Sequence, residues 1–149
     1  MKHLIVDEVE VGDELPSLVK VPSTQQLVRY AGAANDYSSI HFDDRHARRR
    51  GFDGVIVHGA LKAAFLGQML TEWCADAGWV KRFDVRYHSI DVPNRPLVCR
   101  GRVESIEPAG EPQRIELLIW VENPEGKKST TGTATIVLGA PPLPRGPDE

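Results

Sequence analysis

The sequence predicts an α+β fold, in which one antiparallel sheet curls around a single long, mostly buried helix. Two observations carry this. From Gly59 the chain runs through "ALKAAFLGQMLTEWCADAG", and the first half of that run (Ala60, Leu61, Ala63, Ala64, Phe65, Leu66) is apolar nearly all round, with Lys62 the exception. A helix that is apolar on every side belongs inside a protein. After Gly78 the apolar period switches to two: Phe83, Val85 and Tyr87 alternate with Asp84, Arg86 and His88. Leu97, Cys99, Gly101 and Val103 repeat the pattern, as do Ile115, Leu117, Ile119 and Val121. Such alternation marks strands with one face turned to a core. A buried helix needs a cover and the sheet has a face to bury, so two packed layers are the economical solution.

The elements follow in order. The first twenty residues suggest irregular strands around a turn at Gly12-Asp13. Ser23 and Gln26 have capping-box spacing, so a helix starts there and continues through Leu27, Tyr30, Ala31 and Ala34. It fades at Asn35-Asp36, residue types that favour caps and turns. Asp43 or Asp44 can cap a short helix over Arg45 to Arg50, ended by Gly51. Val55-Ile56-Val57 reads as a short extended piece. The long helix from Gly59 is predicted to stop at Gly78, with a polar face (Gln68, Thr71, Glu72, Asp76) emerging in its second half. Turn chemistry at Pro93-Asn94-Arg95-Pro96, Pro108-Ala109-Gly110 and Asn123-Pro124-Glu125-Gly126 separates the strands. A last run, Ser129 to Leu138, is rich in Thr and β-branched residues. Residues 1–139 are expected to form one domain, and the proline-rich tail over 140–149, "APPLPRGPDE", to be disordered.

Composition bounds the function. The chain has 149 residues, 41% hydrophobic and 26% charged, with a formal net charge of -3. This is an ordinary globular mix with no basic excess for nucleic acid and no run of transmembrane length. Cys74 and Cys99 have neither metal-site spacing nor a disulfide framework, and the N-terminus turns acidic before a signal core could form. A cytoplasmic protein is the expectation.

The polar stretch "NDYSSIHFDDRHARRRGFDGVIVHG" carries the candidate chemistry. Asp36 and His41 are five apart, which would put them on different faces of one helix but lets them converge across a helix end and a loop. Such a pair can hold one water between carboxylate and imidazole and move its proton near neutral pH. Gly59 opens the buried helix, where amides lack intrahelical partners and the dipole is positive, so a thioester oxygen placed there would be stabilised as charge develops. Blander readings stand beside these. Asp36 can be a turn residue, and His41 a packed or surface histidine. His46, His3 and His88 read as surface residues, and His58 can pack before Gly59. A metal set of His41, Asp43, His46 and His58 matches no zinc signature. Arg48-Arg49-Arg50 reads as a solvated face, or as a patch for a phosphate-bearing ligand. Trp73, Trp79 and Trp120 read as packing residues.

In order and spacing, "RYAGAANDYSSIHFDD" followed by "GFDGVIVHGALKAAFLG" resembles the MaoC-like, (R)-specific enoyl-CoA hydratase family of the hot-dog fold. Tyr30, Ala31, Asp36, Ile40, His41 and Asp43 match the first part of the family pattern. Gly54, Ile56, His58 and Gly59 match the second. "VEVGDELP" and "FDVRYHSIDVP" extend the likeness over nearly the whole chain except the tail. The chain departs at Asn35, Ser38 and Ser39, where the family has Gly, Asn and Pro. The resemblance implies a sheet wrapped around a central helix, Asp36 and His41 as the catalytic pair that activates water, and the Gly59 amide in the oxyanion hole. Tyr37, Ser38, Val57 and His58 flank these positions and are the substrate-binding candidates. The implied reaction is reversible hydration of trans-2-enoyl thioesters to (R)-3-hydroxyacyl thioesters. It needs no metal or redox cofactor, coenzyme A or acyl carrier protein being part of the substrate. The family also implies a homodimer or higher homo-oligomer, or a heteromer with a second hot-dog subunit. Two alternatives remain open: a non-catalytic or partner-dependent subunit that binds acyl thioesters, and an acyl-CoA thioesterase.

Overall fold

The computed structural model describes Leu4, residues 8–107 and residues 113–139. The readings on His3, on the turn at Pro108-Ala109-Gly110 and on the tail fall outside them. The chain order is β1 (Leu18–Lys20), α1 (Thr24–Ala33), a 3₁₀ turn (Ser39–His41), α2 (Asp44–Arg49), α3 (Gly59–Cys74), a second 3₁₀ turn (Ala75–Ala77), β2 (Gly78–Tyr87), β3 (Leu97–Ile106), β4 (Arg114–Glu122) and β5 (Lys128–Leu138). The strands form one antiparallel sheet in the order β1-β3-β4-β5-β2, so β1 and β2 are its edges.

The sheet wraps α3, which touches every strand. Leu61, Phe65, Leu66, Met69, Leu70 and Trp73 of the helix are buried against the inward face. In β4 the predicted alternation is complete: Ile115, Leu117, Ile119 and Val121 are all buried, and the residues between them are half-buried. Each such fully buried Leu or Ile contributes roughly 1.5–3 kcal/mol of transfer free energy. In β2 the alternation weakens towards the end, where Tyr87 is exposed and leaves the core. Cys74 and Cys99 are free and buried. Among the described residues no helix is long and apolar enough to cross a membrane.

Several elements differ from the sequence reading. Among the described residues the N-terminal strands are β1 and an isolated bridge from Glu14 to Arg102, with Gly12 at φ 96° in the turn. The α-helix ends at Cys74 rather than at Gly78. Ala75 adopts φ 41°, which breaks the helix, and a tight 3₁₀ turn follows. Gly78 instead opens β2, where a Cβ would stand 2.6 Å from the Val137 carbonyl oxygen. Its small size serves strand contact, not helix termination. Val55-Ile56-Val57, read as a short extended piece, lies outside the sheet, a point that reading left open. Lys62, the polar exception in the apolar helix, is buried with Leu61, Phe65 and Leu66, whereas Ala60 and Ala64 are exposed, so the helix start is not enclosed on every side: small alanines form its outer face.

Caps form where the sequence placed them. Ser23 Oγ accepts from the Gln26 amide, and Asp43 Oδ1 accepts from the His46 amide at the start of α2. Gly132 has the closest backbone approach of the described glycines: a Cβ there would lie 2.1 Å from the Asp84 carbonyl oxygen of the neighbouring strand. Backbone cannot yield as a flexible side chain can. Gly132→Ala is therefore expected to lower unfolding free energy by about 2 kcal/mol or more, read as a lower urea midpoint; an unchanged midpoint would contradict this packing.

Candidate active site

Asp36 is set by the end of α1. Asn35 takes the left-handed conformation at φ 52°, which turns the chain sharply, and the Asp36 amide then bonds back to the Ala31 carbonyl. Asn tolerates this conformation because its side chain is short and polar. Asp36 Oδ1 accepts from the Ser38 amide, closing an Asx turn. The following 3₁₀ turn brings His41 inwards, where it is buried.

The tautomer of His41 follows from its partner. Nδ1 lies 2.8 Å from the Ile56 carbonyl oxygen, which can only accept, so Nδ1 carries the proton. In the neutral ring Nε2 then keeps its lone pair; it lies 3.9 Å from Asp36 Oδ2. That is too long for a direct hydrogen bond, but a single water about 2.8 Å from each atom can contact both. Such a water would donate to both acceptors and present its own lone pair to an electrophile.

His58 lies behind His41. It is completely buried and stacks on the His41 ring with centroids 3.7 Å apart, while Tyr30 meets its edge at 5.0 Å. Burial pushes the His58 pKa down, and His41 adds to this; the Asp36 carboxylate and backbone carbonyl oppose it. Neither ring nitrogen of His58 has a hydrogen-bond partner in good geometry. Burial raises the Tyr30 phenol, with Tyr87 and Asp36 adding to the effect. Burial likewise raises the Tyr87 phenol.

Gly59 is the first residue of α3, and His58 provides no side-chain cap. The first amides of the helix therefore lack intrahelical acceptors and carry the positive end of the dipole. The ring of Tyr87 lies over Gly59, close enough that a Cβ would sit 3.2 Å from its carbons. A cleft of about 330 Å³ opens here, with His41, Val57, Gly59, Tyr87 and Ile90 in its wall; Asp36 and His58 lie outside that wall.

Of the residues singled out from sequence, Asp36, His41, Val57, His58 and Gly59 come together. Tyr37 is exposed, and Ser38 contributes its backbone amide to the Asp36 turn. Asp43 caps α2 instead of joining His41 and His58, and His46 is half-buried rather than on an open face. Among the described residues the group that could hold a metal ion is Asp36, His41 and His58, with one ligand atom from each lying within 4.8 Å of the others. Sequence reasoning missed Tyr87 over Gly59 and Ile56 as the acceptor for His41. Only the position of Tyr87 at the end of an alternating run hinted at the former.

A curled antiparallel sheet around a central helix defines a hot-dog protein. A family model described as "MaoC like domain" matches residues 8–116, and the chain belongs to that family. It is 30% identical over 74 residues to the mitochondrial 3-hydroxyacyl-[acyl-carrier-protein] dehydratase of Arabidopsis thaliana, a match over 50% of this chain and 44% of that protein. The chain thus spans less than half the length of this curated relative. Among solved structures, the (R)-hydratase from A. caviae involved in PHA biosynthesis superposes with a TM-score of 0.81 at 18% identity, over 89% of this chain and 99% of that one. A chain of the ChsH1-ChsH2 complex from Mycobacterium tuberculosis superposes with a TM-score of 0.77 at 19% identity, over 87% and 98%.

The depressed His58 pKa has a consequence for stability. The folded protein keeps His58 neutral, while the unfolded chain takes up a proton near the ordinary histidine value of about 6.5. Below that pH the unfolded state binds more protons, so stability is present above about 6.5 and is lost as pH falls towards the lowered folded value. In His58→Phe, which keeps a stacking ring, unfolding free energy measured between pH 7 and pH 5 should fall less steeply, by at most about 1.4 kcal/mol per pH unit. Parallel curves would remove His58 as the cause.

Proposed function

We propose that this protein reversibly hydrates trans-2-enoyl thioesters to (R)-3-hydroxyacyl thioesters. The observation that carries the reading is the Asp36–His41 pair, with its tautomer set by Ile56, beside the open amides of α3. A water held by Asp36 Oδ2 and His41 Nε2 loses a proton to the pair as its oxygen bonds to the β-carbon of the enoyl group. Electrons of the double bond move to the thioester oxygen, where the Gly59 amide and the helix dipole stabilise the enolate. The pair then returns a proton to the α-carbon. The net change is addition of one water, with no oxidation or reduction, so the reaction calls for no redox cofactor. The acyl group reaches the site on coenzyme A or acyl carrier protein, and Val57, Ile90 and Tyr87 supply apolar walls for it.

A second reading has its own support. Tyr87 and Ile90 beside the cleft are each 51% exposed, and the edge of β2 is unpaired among the described residues. A second hot-dog subunit, identical or different, would cover that rim by pairing along β2. In this reading the chain works only within such a pair.

Purified protein should consume the enoyl absorbance of crotonyl-CoA, and Asp36→Asn or His41→Ala should each reduce the rate by ~10²–10⁴-fold. Equal rates in parent and variants would remove the pair from the mechanism. Inactivity of the parent alone, with activity on adding a second hot-dog subunit, would favour the partner-dependent reading. Thiol release from saturated acyl-CoA would point to hydrolysis instead.

A further inference from the structure

The long central helix carries one charge into the core. Lys62 is 2% exposed, and so deep a cation is rare unless paired. Its ammonium group has three donors, and all three find acceptors: Asp91 Oδ2 at 2.8 Å, the Ser89 carbonyl at 2.9 Å and Ser129 Oγ at 3.4 Å. Asp91 is itself 5% exposed. The pair therefore ties the first turn of α3 to the loop after β2 and to the start of β5.

Stability alone does not account for such a pair. Desolvating two charges offsets most of their attraction, and well-packed apolar residues in their place are often as stable. The connections of Asp91 suggest another role. Its backbone carbonyl accepts from the Val57 amide at 2.8 Å, and the Lys62 amide bonds to the His58 carbonyl at 3.3 Å. These bonds close a ring: Lys62 to the Asp91 side chain, Asp91 backbone to Val57, then His58, Gly59 and back to Lys62. Gly59 sits inside the ring with His58, whose ring stacks on His41.

We propose that Lys62 and Asp91 are positioning residues, a buried ionic clamp that fixes the Gly59 amide and the cleft wall at Ser89–Ile90. The catalytic consequence rests on the hydratase reading; the mechanical one does not. An oxyanion donor is effective only when it is already aimed where charge develops, so the clamp acts on turnover more than on affinity.

The test compares two double variants with the parent. Lys62→Met with Asp91→Leu fills the space without a polar link. Lys62→Gln with Asp91→Asn keeps a neutral hydrogen bond. Hydrogen exchange at the Val57 amide is read alongside kcat and KM on crotonyl-CoA. In the apolar variant, Val57 exchange should rise at least ~10-fold with little change in melting temperature, because the loop carrying its acceptor is released. There kcat should fall ~10-fold or more with KM within about threefold, and the amide variant should recover part of both. Parent-like exchange and kcat in the apolar variant would overturn the proposal. Faster exchange with unchanged kcat would leave a mechanical clamp and overturn its role in turnover. If the parent alone is inactive, the exchange result still decides the clamp, and the activity result bears only on the hydratase reading. Should neither variant fold, the parent decides: Val57 exchanging as fast as an amide with no hydrogen bond would overturn the clamp.

Discussion

The segment Ile56–Gly59 must cross the protein interior without belonging to the sheet, and its backbone polar groups must still be paired. Buried amides and carbonyls left alone are expensive, and three of these groups find partners in distant parts of the chain, while the Gly59 amide stays open towards the cleft. The Ile56 amide bonds to the Ile40 carbonyl, the Ile56 carbonyl accepts from His41 Nδ1, and the Val57 amide bonds to the Asp91 carbonyl. The same bonds that satisfy this crossing also set the His41 tautomer and hold the entry to α3. The chemistry of the site is thus a by-product of a backbone that had to be satisfied somewhere other than in a ladder.

Two electrostatic layers meet there. The outer layer is Asp36, half-exposed, facing a histidine lone pair. The inner layer is His58, kept neutral by burial and stacked on His41. A neutral ring behind His41 adds no positive charge to the layer that would take a proton from water. Beneath both lies the dipole of α3, aimed at the cleft from the first turn of the helix. The sheet contributes by enclosure: its curved face covers the apolar side of the helix, and the polar loop lies against the helix start.

Much of this was legible in short stretches. The cap at Ser23, the cap at Asp43, the alternation of Ile115 to Val121 and the left-handed tolerance of Asn35 depend on neighbours within a few residues. So did the placement of Asp36 at a helix end and of Gly59 at a helix start. Three features were not legible. Lys62 looked like a lone exception because its partner lies 29 residues away. Gly78 looked like a helix stop because nothing local reveals how closely Val137 approaches it. Tyr87 looked like one more inward strand residue, whereas the end of β2 carries it past the core and over Gly59.

The sequence by itself determined the α+β class, the buried helix, the alternating strands and the resemblance to the MaoC-like hydratases, since periodicity, caps and motif spacing are local properties of the chain. Only the tertiary structure decided which histidine nitrogen is left free, which carboxylate stands 3.9 Å from it, and which buried anion accompanies the helix lysine. Those outcomes depend on contacts between segments far apart in the chain. Burial then amplifies them, because an unpaired polar group inside a protein is costly and folding selects the arrangement that pairs the most of them.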